Sequence, residues 1–391
     1  MRGARALLRS GTFAVLAVVL GACSGTASTS IRSATTAPTS TVSTSTATSA
    51  PSPRHTVKPA TVTVAVTGDV LPHASVLRDA AADANGHGYQ FRSMIAPVAS
   101  VVSSADVAIC QLETTLSQTD TGLTTANSFV SPHELARDLV AVGFDGCSSA
   151  NNHSFDAGLA GVISTRKVAR LHHLRLAGPA ASATTPGRPA LYPGLLEVAQ
   201  LSYSYSVDNA IEQDTSRPPA NAPWMRANLY PARQPSGIIA DARRARASGA
   251  DVVIVSMHWG NMFDPMPTAE QRRYAKALLT SGQVDAIIGA HPHVIQPCQQ
   301  IDGRYVLYSV GNFLSAQGPA AGLPQASEDG VIATLTFRRD ARGRLHQSLS
   351  YLPTYVGPGH VVHRAVAGTA SYRRTVQAMS AMGAQCRADA M

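Results

Sequence analysis

The sequence predicts an α/β fold in which β-strands alternate with α-helices, preceded by an export signal and a flexible linker. Short apolar, β-rich runs such as TVTVAVTGD and ADVVIVSMHWG alternate with helix-like stretches along most of the chain. This order implies parallel β-α-β crossovers. Hydrophobic residues make up 45% of the 391 residues and charged residues 14%, which is typical of a folded protein.

The N-terminus predicts a lipoprotein signal peptide over residues 1–22. Arg2, Arg5 and Arg9 precede the apolar run GTFAVLAVVL, which is too short to span a bilayer comfortably as a permanent helix. The residues LGAC, ending at Cys23, resemble the bacterial lipobox, in which the cysteine is lipidated. The alternative is an ordinary secretory signal with a chance cysteine. We expect a lipid anchor, such as palmitate, at the extracytoplasmic face of the cell membrane.

Three further segments follow the signal peptide. Residues 23–58 are dominated by Ser, Thr, Ala and Pro, so they cannot bury enough apolar surface to offset chain entropy and should form a disordered tether. The folded domain is expected over 59–358. A helical tail is expected over 359–391, where apolar residues at three-residue spacing suggest packing on the domain.

Cysteine usage indicates possible disulfides, and the charge pattern bears on whether the protein binds nucleic acid. Beyond Cys23, Cys110 and Cys147 lie near predicted strand ends and could be bridged, which leaves Cys298 with Cys386; the alternative is that some are buried thiols. The formal net charge of +8 comes from scattered arginines, without a basic stripe interleaved with aromatic residues. This pattern argues against nucleic-acid binding.

Local sequence signals predict the boundaries of three helices and the point where one strand ends. The helix ELARDLVAVGF should end near Gly143, SGIIADARRARASG at Gly249, and TAEQRRYAKALLTSG should begin after Thr268 as N-cap. The segment IIGAHPHVIQP begins as a buried strand. Gly289 then allows a close approach, and Pro292 removes a backbone donor, so the chain leaves the sheet in a rigid loop that carries two histidines.

Polar side chains with metal-binding chemistry follow five predicted strands. They are Asp69, Glu113, Asn152 with His153, His258, and His291 with His293. Because parallel strands end at the same edge of a sheet, we expect these residues to meet there. Carboxylates, an amide and imidazoles form a mixed N/O ligand set suited to Zn, Mn or Fe rather than to an all-oxygen Mg or Ca site. Taken singly, Asp69 could cap a helix, Glu113 could pair with an arginine and Asn152 could make an Asx turn.

Several motifs resemble one known family. VTGDV, QLE, ANNHSFDAG, HWG, PTAEQ, IIGAHPHVIQP and YSVGNFLS occur in this order over residues 61–357. They are similar to motifs of the bacterial capsule synthesis protein CapA family, also called poly-γ-glutamate capsule proteins. That family is related to the calcineurin-like metallophosphoesterases. The resemblance implies a four-layer α/β/β/α sandwich with a site for one or two divalent transition-metal ions at the edge of its sheets.

The resemblance also implies residue roles. Asp69 and His293 would bind a first metal, Glu113 would bridge, and Asn152, His258 and His291 would bind a second; His153 would lie near the substrate. Asn152 could orient a substrate oxygen and His153 could protonate the leaving group. Asp156 could orient His153, or be a helix first-turn aspartate. Asn312, in YSVGNFLS, would have a structural or substrate-orienting role, and Trp259 would be a packing wall.

One departure from the phosphoesterase pattern concerns the first metal. Leu71 stands where that pattern has a histidine, so the first site would be weak unless His73 substitutes. Three functional classes follow: a lipid-anchored surface hydrolase; a component of extracellular polymer production that binds or processes poly-γ-glutamate or another anionic chain beside synthetase and export subunits; and a degenerate polymer-binding scaffold.

Overall fold

The computed structural model describes residues 57–209 and 217–388. The predicted signal peptide, Cys23 and the tether up to residue 56 lie outside this part of the chain. Among the helices that are described, none has the length and apolar character needed to cross a bilayer.

The described residues form strands and helices in the alternating order expected. The strands are β1 (Ala60–Leu71), β2 (Val107–Leu112), β3 (Thr115–Leu116), β4 (Thr124–Ala126), β5 (Ser128–Ser131), β6 (Gly146–Ser148), β7 (Arg175–Ala177), β8 (Ala190–Tyr192), β9 (Val198–Ser204), β10 (Val252–His258), β11 (Ala286–Ala290), β12 (Ile295–Ile301), β13 (Arg304–Val310), β14 (Asn312–Ser315), β15 (Asp329–Arg339), β16 (Leu345–Val356), β17 (Val362–Arg364) and β18 (Arg387–Ala388). The α-helices are α1 (Ala74–Asp83), α2 (Arg92–Ile95), α3 (Ala99–Ser103), α4 (Glu134–Ala141), α5 (Gly158–Leu171), α6 (Tyr230–Ala247), α7 (Ala269–Thr280) and α8 (Ala370–Ser380). Short 3-10 helices lie at Ala96–Val98, Pro223–Asn228, Pro319–Ala321, Gln325–Glu328 and Pro358–His360.

Two large sheets and one small sheet result. The first sheet has the order β17-β16-β15-β1-β2-β6-β7, with β14 also paired to β1 and β18 to β16. Its strands β1, β2, β6 and β7 are parallel, whereas β15, β16 and β17 are antiparallel. The second sheet has the order β12-β13-β11-β10-β9-β8, with β9, β10, β11 and β13 parallel. The small sheet is β3-β5-β4.

The hydrophobic clusters order these elements in four layers. Successive side chains of a strand point to opposite faces. Val64 of β1 and Ile254 of β10 therefore lie in a core shared by the two sheets, while Ala65 of β1 packs in the cluster beneath α1 to α5. On the other side, Val253 of β10 packs in the cluster formed with α6 and α7. The predicted α/β class is confirmed, and the layers run helices, sheet, sheet, helices.

The helix boundaries follow local sequence signals. Thr268 caps α7 in a capping box: its hydroxyl accepts from the Gln271 N–H at 3.1 Å, and Gln271 Oε1 accepts from the Thr268 N–H at 2.8 Å. Helix α6 contains one non-helical residue, Gln234, at φ 54°. The uninterrupted part therefore begins at Pro235, a residue well suited to the first turn, which is one position before the predicted start.

The C-terminal tail is only partly helical. Helix α8 packs against β12 and β16, and its Met379 is buried in the core between the sheets. The same tail also supplies β17 and β18, which pair with β16 of the first sheet. Both strands are too short to show a period in sequence, and they form because β16 presents unpaired backbone groups at the sheet edge.

Two disulfides join the four described cysteines in the expected pairs. Cys110 of β2 bonds to Cys147 of β6, with 4.4 Å between their Cα atoms. Cys298 of β12 bonds to Cys386 in the tail, with 6.2 Å between their Cα atoms. The first bond links two neighbouring strands that lead into the site described below, and the second ties the tail to the domain.

Removal of the Cys298–Cys386 bond is expected to destabilise the protein. It closes a loop with a sequence separation of 88, so its loss frees a long segment in the unfolded chain. The Cys298→Ala/Cys386→Ala variant should lose about 2–5 kcal/mol of unfolding free energy. Guanidinium titration followed by circular dichroism measures this, with the native protein as reference. Equal midpoints and equal slopes for the two proteins would contradict the prediction.

Candidate metal centre

The predicted site residues come from both large sheets. In the first sheet Asp69 lies near the end of β1, Glu113 directly follows β2, and Asn152 lies in the loop after β6. In the second sheet His258 is the last residue of β10, and His291 directly follows β11. The expectation of one shared sheet edge is therefore corrected: the carboxyl ends of two stacked sheets face each other, and the site lies between them.

The structure assembles two ligand groups that share one carboxylate. Asp69, Glu113 and His293 form the first group, and Glu113, His258 and His291 form the second. Within each group the ligand atoms lie within 4.8 Å of one another. Glu113 Oε1 is 3.3 Å from His258 Nε2 and 3.7 Å from His293 Nε2, while Asp69 Oδ2 is 3.3 Å from His293 Nδ1.

Asn152 joins the second group. Its Oδ1 lies 2.7 Å from His258 Nε2, and the residue is buried. The structure therefore brings together all six residues that sequence assigned to metal binding.

Unpaired buried atoms indicate that these residues fit a cation. Asp69 Oδ1, both carboxylate oxygens of Glu113, and His291 Nδ1 are buried and find no hydrogen-bond partner within residues 57–209 and 217–388. Leaving charged oxygens buried and unpaired is costly, unless a metal or another charge compensates them. Carboxylate oxygens together with neutral imidazole nitrogens are ligands for Zn and related ions.

The pKa values of the site residues reflect the negative charge of Glu113 and Asp69. Burial raises the pKa of Glu113, but the imidazoles of His293 and His258 outweigh this effect and leave that pKa below its ordinary value. Burial and the charge of Glu113 raise the pKa of Asp69. Burial lowers the pKa of His293, yet the carboxylates of Glu113 and Asp69 raise it to about 9. A proton on His293 thus balances part of the charge that a cation would balance, and metal binding releases such protons.

His291 has the opposite electrostatic character. Burial and the neighbouring imidazoles of His258 and His293 place its pKa well below the ordinary value. It therefore stays neutral, with a free nitrogen, which is the form in which histidine binds metals.

The loop that carries the two histidines has an unusual backbone. His291 has φ 92° and His293 has φ 55°, on either side of Pro292. Positive φ is uncommon for residues other than glycine and persists where the surrounding structure enforces it. Here the His291 N–H donates to Asp69 Oδ2 at 3.2 Å, and the Phe263 N–H donates to the Pro292 carbonyl at 2.7 Å. These contacts hold both imidazoles toward the carboxylates.

His153 is oriented by a carboxylate beside the metal centre. Its Nδ1 lies 2.7 Å from Asp156 Oδ2, which also accepts from the Phe129 N–H at 2.5 Å. Asp156 lies two residues before α5, and the first turn of that helix carries no acidic residue. This geometry favours the orienting role over the alternative of an aspartate in the first turn of a helix.

Asn209 is a site residue that sequence reasoning missed. Its Oδ1 accepts from Asn152 Nδ2 at 2.7 Å, and its Nδ2 lies 3.1 Å and 3.2 Å from the two ring nitrogens of His153. The residue lies beyond the carboxyl end of β9, which is parallel to β10. The rule that located the other ligands could have found it, but the segment SYSYSVDN shows no motif.

Two predicted residues have mainly structural contacts. Asn312 Oδ1 lies 3.0 Å from His293 Nδ1, and its amide donates to Gln317 Oε1 and to the Ser327 carbonyl. Of its two predicted roles, these contacts favour the structural one. Trp259 is buried and its Nε1 donates to the Tyr308 carbonyl at 2.9 Å, as expected for a packing residue.

His73 does not replace the histidine missing at Leu71. Its Nδ1 accepts a hydrogen bond from the Ala316 N–H at 3.3 Å, and it lies outside both ligand groups. Burial lowers its pKa to about 4, so the ring is neutral. With Nδ1 occupied as an acceptor, the proton resides on Nε2, which then has no lone pair to offer a metal.

Comparison with known proteins establishes the family. A model of the family described as bacterial capsule synthesis protein PGA_cap matches residues 63–317, well over half of the chain. This chain belongs to that family. The PGA biosynthesis protein CapA of Bacillus subtilis is 30% identical over 185 residues, which are 47% of this chain and 46% of that protein. The capsule biosynthesis protein CapA of Bacillus anthracis is 39% identical over 80 residues, which are 20% of this chain and 19% of that protein. The chain thus aligns with about half or less of these two relatives.

Similarity to solved structures is weaker. A phosphatase from Mycoplasma pneumoniae aligns with a TM-score of 0.44 and 14% sequence identity, covering 76% of this chain and 94% of that chain. The assignment to the capsule synthesis family therefore rests on sequence and not on this likeness.

Proposed function

We propose that this protein is a lipid-anchored surface member of the CapA type that acts in the production or processing of an anionic capsule polymer, such as poly-γ-glutamate, through a metal-dependent hydrolytic site. The observation that carries the proposal is the pair of ligand groups that share Glu113, with buried oxygens and a buried nitrogen that lack hydrogen-bond partners. Such a set suits one or two Mn, Zn or Fe ions.

The metal ligands divide between two positions. Asp69, Glu113 and His293 would hold one ion, and Glu113, Asn152, His258 and His291 the other. When bound, such ions lower the pKa of a water molecule and stabilise the negative charge that develops during hydrolysis. The protein itself buries the ligands, and the rigid loop around Pro292 orients His291 and His293.

Residues beside the ligands would act on the substrate. His153 would donate a proton to the leaving group from Nε2 of its doubly protonated ring, and Asp156, which accepts from Nδ1–H, would orient that ring and stabilise its positive charge. Asn209 would position both Asn152 and His153, because it contacts both side chains. A metallophosphoesterase-like reaction on a phosphoester or a similar bond is consistent with this arrangement.

The process and location are proposed from sequence and family. The basic and apolar segments before Cys23 support a lipid anchor at the extracytoplasmic face of the membrane. The two disulfides suit an exported compartment. Two relatives are named for PGA or capsule biosynthesis, which supports an anionic polymer as substrate or ligand, with synthetase and export subunits as partners.

A polymer-binding scaffold without turnover is the second candidate. Leu71 contributes no ligand, and the contact of His73 with Ala316 leaves the first position with three protein ligands. A phosphoesterase unrelated to capsule is a third, and only a substrate screen separates it from the first.

Metal analysis tests the proposal. The full-length protein, His291→Ala and His293→Ala are dialysed identically against Mn, Zn and Fe, and metal content is measured by mass spectrometry. We expect up to two ions per native chain and the loss of a different ion in each variant. Phosphoester and poly-γ-glutamate hydrolysis are then assayed on the loaded protein. A native chain without bound metal would refute the hydrolytic site, and metal without turnover would favour the scaffold.

A further inference from the structure

A groove lined by basic side chains runs along α5, apart from the metal centre. A cavity of about 610 Å³ lies between the exposed face of α5 and the segment leading into β7. Five of its lining residues carry basic side chains: Arg166, Lys167, Arg170, His173 and Arg175. Four of them are exposed to solvent, and Arg166 is half-buried.

A second cavity lies beside the first. This cavity, of about 420 Å³, shares Lys167 and Arg170 with the first and adds Gln118 and His133. Within the described residues, neither cavity is lined by an aspartate or a glutamate. We call these two adjacent cavities the basic groove.

The two cationic side chains common to both cavities are not paired with acids, whereas His133 of the second cavity lies 2.8 Å from Asp120 Oδ1 and 3.4 Å from Glu134 Oε2. The side chains of Lys167 and Arg170 form no ion pair or hydrogen bond with any part of the chain that the structure describes. The Arg166 guanidinium donates to the carbonyls of Gly178 and Pro179, which fix its position without cancelling its charge. Arg175 lies over the Tyr192 ring, 5.7 Å from its centroid.

In contrast to Lys167 and Arg170, three arginines elsewhere in the fold are paired with a carboxylate. Arg233, Arg246 and Arg374 each pair with a buried aspartate. Unpaired positive charge in a concave surface raises the local concentration of anions and favours a ligand with several negative charges.

The basic groove lies toward the carboxyl end of α5, and the amino end of that helix is near the metal centre. Helix α5 begins two residues after Asp156, which contacts His153. From Gly158 to Arg170 the helix rises about 18 Å at 1.5 Å per residue. A linear polymer lying along α5 could therefore contact Lys167 and Arg170 while another of its units lies near His153.

We propose that the basic groove binds a linear polycarboxylate, with poly-γ-glutamate as the representative ligand, and that Lys167 and Arg170 are its main charged contacts. This inference rests on the proposed function in the choice of polymer. The concave form of the two adjacent cavities fits an extended chain better than it fits the flat surface of an anionic bilayer. The simpler interpretation is that Arg170 only stabilises the carboxyl end of α5 through the helix dipole.

Binding measurements on charge-reversal variants test the proposal. Fluorescent poly-γ-glutamate is titrated with the full-length protein in mild detergent at low salt, because screening weakens such contacts. The Lys167→Glu/Arg170→Glu variant should bind at least about tenfold more weakly than the native protein. The matched control is Arg78→Glu/Arg243→Glu, which makes the same charge change at exposed positions on α1 and α6. That control should stay within about twofold of the native protein.

The outcomes separate the basic groove from the metal centre. Retained binding in His291→Ala/His293→Ala, together with loss in Lys167→Glu/Arg170→Glu, supports the groove even if no metal or turnover is found. Equal weakening in the Lys167/Arg170 variant and in the matched control would overturn it. Loss of binding to vesicles of anionic lipid, with unchanged binding to poly-γ-glutamate, would also overturn it and assign the surface to the membrane. Thermal unfolding of each variant shows whether a loss of binding reflects misfolding.

Discussion

Glu113→Gln is expected to remove both metal ions, because Glu113 is the one carboxylate common to the two ligand groups. The substitution keeps the size of the side chain but removes the charge that faces His258 and His293. Loss of an outer-shell partner alone costs about 10–100-fold in metal affinity, so loss of the shared ligand should cost at least about a hundredfold at each position. Metal content after dialysis and isothermal titration with Zn and Mn measure this effect.

A stability measurement gives the Glu113 prediction an independent readout. A ligand whose free concentration is one hundred times its dissociation constant stabilises a folded protein by about 2.7 kcal/mol. Native protein should therefore unfold at a higher temperature when metal is added, whereas Glu113→Gln should not respond. Glu197→Gln is the matched control, because it makes the same charge change away from the site. Glu197 precedes the amino end of β9, whereas the metal centre lies at the carboxyl ends of the strands. A Glu113→Gln protein that keeps two ions would contradict the shared-ligand arrangement.

Gly289→Ala is expected to destabilise the protein strongly. A Cβ atom at this position would lie 1.9 Å from the Tyr308 carbonyl oxygen and 2.6 Å from Trp259 Nε1. The first of these atoms belongs to the backbone of the neighbouring strand β13, which cannot move without breaking its pairing with β11. We expect a loss of about 3 kcal/mol or more in unfolding free energy.

The same substitution should also disturb the metal centre. Gly289 lies two residues before His291, so displacement of β11 from β13 would move the loop that carries both histidines. Gly194→Ala is the control, because the nearest atom to its added Cβ lies 3.5 Å away. That variant should stay within about 0.5 kcal/mol of the native protein. Chemical denaturation and metal analysis of both variants provide the test, and a Gly289→Ala protein of native stability would disprove the close-approach argument.

Much of the fold was predictable because its signals are local. The apolar runs of β1, β2, β10 and β11, the capping box at Thr268, and the glycine and proline after Ile288 each follow from properties of neighbouring residues. The strand-end rule also placed the metal-binding residues, since parallel strands bring their carboxyl ends together. The same rule did not identify Asn209, because its segment has no apolar run that ends in a polar motif.

Other features could not be predicted from local sequence patterns. The strands β17 and β18 form only because β16 offers an edge, and their few residues show no period. The contact between His73 and Ala316 joins residues 243 positions apart, so its effect on the missing ligand at Leu71 could not be foreseen. The basic groove likewise depends on how α5 lies against the segment before β7.

The sequence by itself determined the α/β class, the order of the main strands and helices, and the residue types available for binding metal, because these depend on periodicity and on side-chain chemistry. Only the tertiary structure decided that the ligands come from two facing sheets, that Asn209 contacts both Asn152 and His153, and that Asn312 supports His293. The physical reason is that burial and hydrogen-bond partners are set by residues far apart in the chain. Such contacts exist only once the two sheets have packed together.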